Sequence, residues 1–283
     1  MAQKILITGS SGFIGRNLKQ VLLRKGHEVV DFNSAQGDIA AAPLKFSNID
    51  YVFHLAGKSF VPDSWKNPEE FMRVNVEGTK NVLRFCHENK IPLLFMSSYI
   101  YGIPEKLPVN ELDDINPSNP YMRSKYEAEK LCALYALRYK MKISIVRPFN
   151  IYGIGQPEYF LVSKIIKQVL DKSQEKVTLM DLSPRRDYVY MDDLMDAMLL
   201  LYEKKIMGSF NVGSGYSLSV KEIAEIILKE AGVKKEIMAS GEVRPNEIPD
   251  VVADISKIKT EVGWVPKTSF QEGIRKILAA EKN

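Results

Sequence analysis

Cysteine is nearly absent from this chain: Cys86 and Cys132 are the only two in 283 residues, and the three histidines (His27, His54, His87) are scattered. So few thiols exclude a disulfide-stapled scaffold. Neither a CxxC nor an HxxxH spacing occurs, so no metal site is expected. Both cysteines fall inside helical patterns and read as buried, reduced thiols. No run approaches the ~18 apolar residues of a membrane span. The opening MAQKILITGS enters a strand pattern without a long apolar leader, so the chain is expected to work in the cytoplasm and not at a membrane. Charge of one sign is also scarce, with 39 Lys and Arg against 35 Asp and Glu. That balance is too even to suggest nucleic acid as a partner, though it suits an anionic small molecule.

What is present is alternation. Apolar runs at 4–8, 28–32, 51–55, 93–97 and 143–148 read as strands buried on both faces, with helical patterns at 13–25, 68–89 and 119–139 between them. Strand and helix in turn predict an α/β fold: a doubly wound parallel sheet of Rossmann type. Four prolines between 104 and 120 make that stretch a loop leading into the helix near Tyr121. After 150 the pattern loosens into helices near 160–172, 191–204 and 219–231 and strands near 177–181 and 209–212. The expected division is a first domain of 1–150 plus about 181–213. A smaller, mixed C-terminal lobe takes about 151–180 plus 214–283.

The first strand runs into Gly9-Ser10-Ser11-Gly12-Phe13-Ile14-Gly15, and a helix pattern follows at once. Gly9 permits the tight turn, Gly12 lets a pyrophosphate approach the backbone, and Gly15 lets helix and strand pack closely. The helix N-terminus then faces the phosphates. A glycine-rich turn alone is weak evidence. Its place between first strand and first helix is what dinucleotide binding requires.

The spacing GxxGxxG and the phrase TGSSGFIG resemble the extended branch of the short-chain dehydrogenase/reductase superfamily, of NAD-dependent epimerase/dehydratase type. The resemblance implies a cofactor, NAD or NADP, held by Gly9, Ser11, Gly12, Phe13, Ile14, Gly15 and Arg16. At the end of the second strand a carboxylate would select NAD, and a neutral or basic residue would admit the phosphate of NADP. The family's acidic position falls on Asn33, while Asp31 lies two residues earlier. With Arg16 able to reach an added phosphate, the choice stays open and leans to NADP. Asp38 and Ile39 match the family's adenine contact. Leu55, Ala56 and Gly57, after His54, match the strand end beside the nicotinamide, and Pro148 lies at a further cofactor position.

Catalysis has its own constellation. Pro120-Tyr121-Met122-Arg123-Ser124-Lys125 opens a helix and sets Tyr121 and Lys125 one turn apart on one face. A nearby ammonium favours the phenolate, which would bring Tyr121 towards its working pKa as proton donor and acceptor. Ser97, ending the fourth strand, can hydrogen-bond the same substrate oxygen. Tyr121 and Lys125 also serve as cofactor contacts in the family. The resemblance further implies sugar-nucleotide contacts at Ser98, Tyr99 and Asn150, and diphosphate contacts at Arg186 and Arg244, whose planar forks suit phosphate. Asn75 reads as mainly structural and Trp264 as a core anchor of the second lobe. A homodimer through the 68–89 and 119–139 helices is implied as well.

Within the family, 4,6-dehydratases carry Asp-Glu after the catalytic Ser or Thr; here Ser98 and Tyr99 stand there, so dehydration lacks its proton carriers. The favoured reading is hydride transfer at C4 of an NDP-4-keto-6-deoxy-hexose using NAD(P)H. The alternative is an NAD-dependent 4-epimerase of the UDP-glucose 4-epimerase kind. A third, from another class, is a non-catalytic dinucleotide sensor, which would have no use for an intact Ser97, Tyr121 and Lys125.

Overall fold

Short apolar runs become strands where helices cover them. In the computed structural model, which describes residues 2–41, 43–242 and 247–281, β1 (Lys4–Thr8) enters the glycine turn and α1 (Phe13–Arg24), and β2 (Glu28–Phe32) returns. Then follow β3 (Tyr51–His54), α2 (Val61–Lys66) and α3 (Pro68–Met72). A five-residue π-helical turn (Arg73–Glu77) links α3 to α4 (Gly78–Asn89). The first half closes with β4 (Leu93–Met96), α5 (Pro120–Tyr139) and β5 (Ile143–Pro148). β3, β4 and β5 are buried at every residue, as strands with both faces covered must be. β2 departs from that expectation. It is the outer strand, so its residues are half-buried or exposed.

The main sheet has six strands in the order β2-β1-β3-β4-β5-β9, where β9 is Gly208–Val212. β1 pairs in parallel with both β2 and β3, and Thr8 stands level with Phe32 on one side and His54 on the other. The chain therefore leaves β1 in one direction and returns on the opposite side. The crevice at the carboxyl ends of β1 and β3 is the switch point where ligands bind in such sheets.

The remaining elements are β6 (Asn150–Tyr152), α6 (Leu161–Leu170), β7 (Lys176–Leu179), β8 (Arg185–Tyr190) and α7 (Met191–Lys204). After β9 come β10 (Ser217–Ser219), α8 (Val220–Ala231), β11 (Glu236–Ala239), α9 (Ser256–Val262) and α10 (Phe270–Ala280). β10, β8 and β6 form a mixed sheet, and β11 and β7 pair in parallel.

Packing divides the chain into two units. The first takes Met1–Gly102, Asp113–Pro148 and Ala197–Phe210; the second takes Ile103–Leu112, Phe149–Asp196 and Asn211–Asn283. The stretch 181–196, which the sequence pattern returns to the first domain, belongs to the second, because β8 pairs with β6 and β10 there. Each unit has its own core. Leu6, Val52, Val82, Leu93 and Ala128 meet in the first. Tyr152, Ile165, Val177, Ile223, Ile227 and Ile274 meet in the second.

Candidate active site

The turn after β1 has no room for a side chain at Gly9 or Gly15. Gly9 adopts φ +74°, and a Cβ there would stand 2.7 Å from the Ala56 nitrogen. A Cβ on Gly15 would stand 2.2 Å from the Gly9 carbonyl oxygen. α1 begins on Gly12 with no side-chain cap and no acidic residue in its first turn, whereas α5 and α8 are capped by Asn119 and Ser219. An uncapped, acid-free helix start behind a bare backbone cradle fits a phosphate of a dinucleotide. Ser11 and Gly12 are exposed on this turn, Phe13 and Ile14 are half-buried, and Arg16 is exposed with its N–H on the Gly12 carbonyl.

At the end of β2 the two candidate ribose readers separate. Asp31 pairs with Lys19 of α1, and its other carboxylate oxygen is buried without a hydrogen-bond partner. Asn33 reaches the turn: its amide donates to Ser10 Oγ at 3.3 Å, and its carbonyl caps the Ala35 N–H. Asp38 accepts from the Ala40 N–H and from Arg73 of the π-helical turn, which together hold its carboxyl below the usual range. Ile39 packs on Gly78, and its carbonyl accepts from Asn81.

At the end of β4, Ser97 is buried and its Oγ has no hydrogen-bond partner. A hydroxyl stripped of water and left unpaired costs stability, so a ligand oxygen is its natural complement. Tyr121 lies in the first turn of α5, half-buried, with the Phe71 ring edge-on to it. Lys125, one turn on, is buried and sets its ammonium 4.4 Å from the Phe95 ring centroid. Burial pushes the Tyr121 phenol up, with a hydrogen bond from Ser98 opposing it. This differs from the sequence expectation that Lys125 dominates the phenol. Burial instead brings Lys125 itself down to about 8, with Cys132 and Glu129 opposing. The ammonium survives at neutral pH with a pKa close to it. Tyr99, expected as a substrate contact, is buried and donates to the Gly102 carbonyl at 2.6 Å, so its hydroxyl serves the loop's own fold.

One set of residues is joined by contacts that no single motif announces. His54, fully buried, lies between Thr8 Oγ1 at 2.7 Å and Thr79 Oγ1 at 3.0 Å. Thr79 donates to the Asn75 carbonyl, and Asn75 donates to Ser124 Oγ and to the Lys58 carbonyl. Ser124 in turn donates to the Tyr121 carbonyl. A buried polar chain thus runs from the end of β1 to the first turn of α5, and Asn75 is structural in it. Leu55 and Ala56 are half-buried and Gly57 exposed beside it, where a Cβ on Gly57 would meet Asn75 at 2.8 Å. Pro148 ends β5, buried.

In the second unit, Asn150 donates to the Asp187 carbonyl at 3.1 Å. Arg186 is held by the carbonyls of Arg185 and Ile248 and by the Glu247 carboxylate. Arg244 lies outside the described residues. Asp187, which carries no motif signal of its own, is fully buried and accepts from the N–H groups of Ser214, Gly215 and Ala253. Trp264 is buried and donates to the Asp193 carbonyl at 3.0 Å, as a core anchor would.

Among the described residues no helix is long and apolar enough to cross a membrane, and no cluster of His, Cys, Asp or Glu could hold a metal. Residues 5–213 match the model of the NAD dependent epimerase/dehydratase family. The chain is 31% identical to a putative UDP-glucose 4-epimerase of Methanocaldococcus jannaschii, over 99% of this chain and 98% of that one. It is 32% identical to a GDP-6-deoxy-D-talose 4-dehydrogenase of Aggregatibacter actinomycetemcomitans, over 92% and 91%. The solved structure of RMD from Pseudomonas aeruginosa complexed with NADPH superimposes with a TM-score of 0.89 at 27% identity, covering 98% of each chain. This chain therefore belongs to the NAD dependent epimerase/dehydratase family of sugar-nucleotide enzymes.

Proposed function

We propose that this enzyme reduces the C4 ketone of an NDP-4-keto-6-deoxy-hexose, with NADPH favoured over NADH. The observation that carries the cofactor half is Asn33. A neutral amide borders the glycine turn, while Asp31 is tied to Lys19, so no carboxylate repels a ribose phosphate there. The relative acting as a GDP-6-deoxy-D-talose 4-dehydrogenase supports the same substrate class. The cofactor would rest on the Gly9–Gly15 turn, with Asn33 and Arg16 at its ribose and Lys125 near the nicotinamide end. When bound, it supplies the hydride.

The chain's own residues handle the oxygen. Ser97, whose buried hydroxyl lacks a partner, donates to the substrate carbonyl oxygen and fixes its direction. Tyr121 delivers a proton to that oxygen as it turns negative. Lys125 remains charged at neutral pH and stabilises the phenolate left behind. By the family resemblance, Asn150, Arg186 and Arg244 are the enzyme's proposed sugar-nucleotide contacts. Assembly as a homodimer is supported by the exposed Leu134 and Leu137, one turn apart on one face of α5, apolar side chains of the kind that partners cover.

The experiment is a stoichiometric one. The enzyme is mixed with NADPH or NADH and a panel of 4-keto-6-deoxy sugar nucleotides, and cofactor oxidation is followed against product. One reduced cofactor consumed per product supports the reductase. Interconversion of UDP-glucose with its C4 epimer without added cofactor, and no cofactor oxidation, would establish the 4-epimerase instead, the activity named for the Methanocaldococcus relative. Tyr121→Phe should lower turnover by about 10²–10⁴-fold, the usual worth of general acid–base catalysis. Wild-type turnover in that variant would remove Tyr121 from the mechanism.

A further inference from the structure

We propose that Arg147, Glu129 and Tyr101 are positioning residues: a buried clamp that fixes the Ser97 segment against the Tyr121–Lys125 helix. The role rests on the catalytic reading above. Arg147, near the end of β5, is 5% exposed and Glu129 of α5 is 4% exposed. The Arg147 Nε donates to both Glu129 carboxylate oxygens at 3.0 and 3.1 Å, and Nη2 donates to Oε2 at 2.6 Å. Its Nη1 donates to the Tyr101 hydroxyl at 2.8 Å.

The placement of the partners gives this cluster its meaning. Glu129 lies one turn beyond Lys125 on the same helix face. Tyr101 lies in the segment leaving β4, four residues beyond Ser97. One planar guanidinium on a third element therefore binds both supports of the catalytic set, and its fork leaves little freedom in either distance or angle. Stability alone is a weak reason for the arrangement. A buried ion pair of this kind is often replaced by hydrocarbon at no loss, because both charges were stripped of water to form it.

The clamp also governs the charge next to Lys125. The ammonium faces Glu129 and Cys132 on its own helix, the His54 imidazole from β3 and the Phe95 ring from β4. Glu129 is the one carboxylate in that set. Arg147 holds both of its oxygens, which fixes where that carboxylate stands relative to the ammonium it supports. Lys125 stays over Phe95, 3.8 Å from where a Gly57 Cβ would stand.

The test compares Arg147→Met/Glu129→Leu, which removes both charges and keeps apolar volume, with Tyr101→Phe and Arg147→Lys. The double variant should melt as a folded protein and bind NADPH with unchanged affinity. Its kcat should fall by roughly 10²-fold, the scale of an ångström of misplacement. Arg147→Lys restores the charge without the fork and should not recover kcat. The alkaline limbs of kcat/KM, which report the free enzyme, add a signature that plain destabilisation lacks. Glu129→Gln removes a carboxylate that supports the ammonium, so the limb should move to lower pH. Arg147→Met releases that carboxylate towards Lys125, so the limb should move to higher pH. A folded double variant with wild-type kcat overturns the proposal. Should the double variant fail to fold, Tyr101→Phe decides: a several-fold lower kcat supports the clamp, and an unchanged kcat overturns it. The underlying catalytic reading fails separately, through an active Tyr121→Phe.

Discussion

Asn33 and Asp31 show how two residues on one strand end acquire different work. Asp31 points to α1 and is neutralised by Lys19, so its negative charge is largely spent before any ribose approaches. Asn33 touches Ser10 in the glycine turn and is fixed by the Ala35 N–H, which sets an uncharged amide beside that turn, where the proposed cofactor would bring its ribose. NADPH should therefore be used at least as well as NADH. Arg16→Ala should raise the KM for NADPH and leave that for NADH nearly unchanged. Asn33→Asp should shift preference towards NADH, because the new carboxylate accepts ribose hydroxyls and repels a phosphate. Steady-state constants for both cofactors in the three proteins check this. A strong NADH preference in the wild type would return the ribose to Asp31.

The connection β1–turn–α1 works as a unit because its glycines meet backbone. A Cβ on Gly15 would stand 2.2 Å from the Gly9 carbonyl and 2.8 Å from the Ser10 Cα, neither of which can swing aside as a side chain tip would. Gly15→Ala should therefore force α1 away from β1 and weaken NADPH binding by tenfold or more, about 1.4 kcal/mol, as read by fluorescence titration. Unchanged affinity would show that the turn does not hold the cofactor. This element was legible in the sequence because glycine spacing and a strand–helix border are local facts. The same holds for Ser97 at a strand end and for Tyr121 and Lys125 on one turn. β8 was not legible as a strand: in RRDYVY three polar residues precede the apolar ones, and alternation is lost. β6 and β10, at three residues each, are too short to show a period. The π-helical turn at Arg73–Glu77 keeps the apolar rhythm of its neighbours, so 68–89 reads as one helix. His54, Asp187 and the Arg147 clamp have their partners far along the chain, and no local pattern announces such contacts.

At the scale of the whole molecule, the buried bases of the first unit make stability depend on pH. Burial pushes His54 down to about 3 from 6.5, so the imidazole stays neutral between two threonine hydroxyls. When the chain unfolds, that ring recovers an ordinary affinity for protons. Between pH 6.5 and 3 the unfolded state therefore binds a proton at this site that the folded state refuses, and stability rises with pH through that window. Lys125, brought down to about 8 from 10.5, acts in the same direction at the alkaline end, with stability rising between those values as the unfolded chain keeps the proton longer. Carboxylates complicate the lower part of the acid window, but from pH 6.5 to 5 they stay largely ionised and the imidazole term stands out. Urea denaturation across that interval should show the wild type losing stability on acidification with a slope approaching one proton, about 1.4 kcal/mol per pH unit. His54→Gln, which keeps a polar side chain for Thr8 or Thr79 but has nothing to titrate, should start less stable and lose less over the same interval. Equal slopes in the two proteins would mean that His54 takes up a proton in the folded state as readily as in the unfolded one. The imidazole would then have access to water, and the buried polar chain from β1 to α5 would not be closed at its centre.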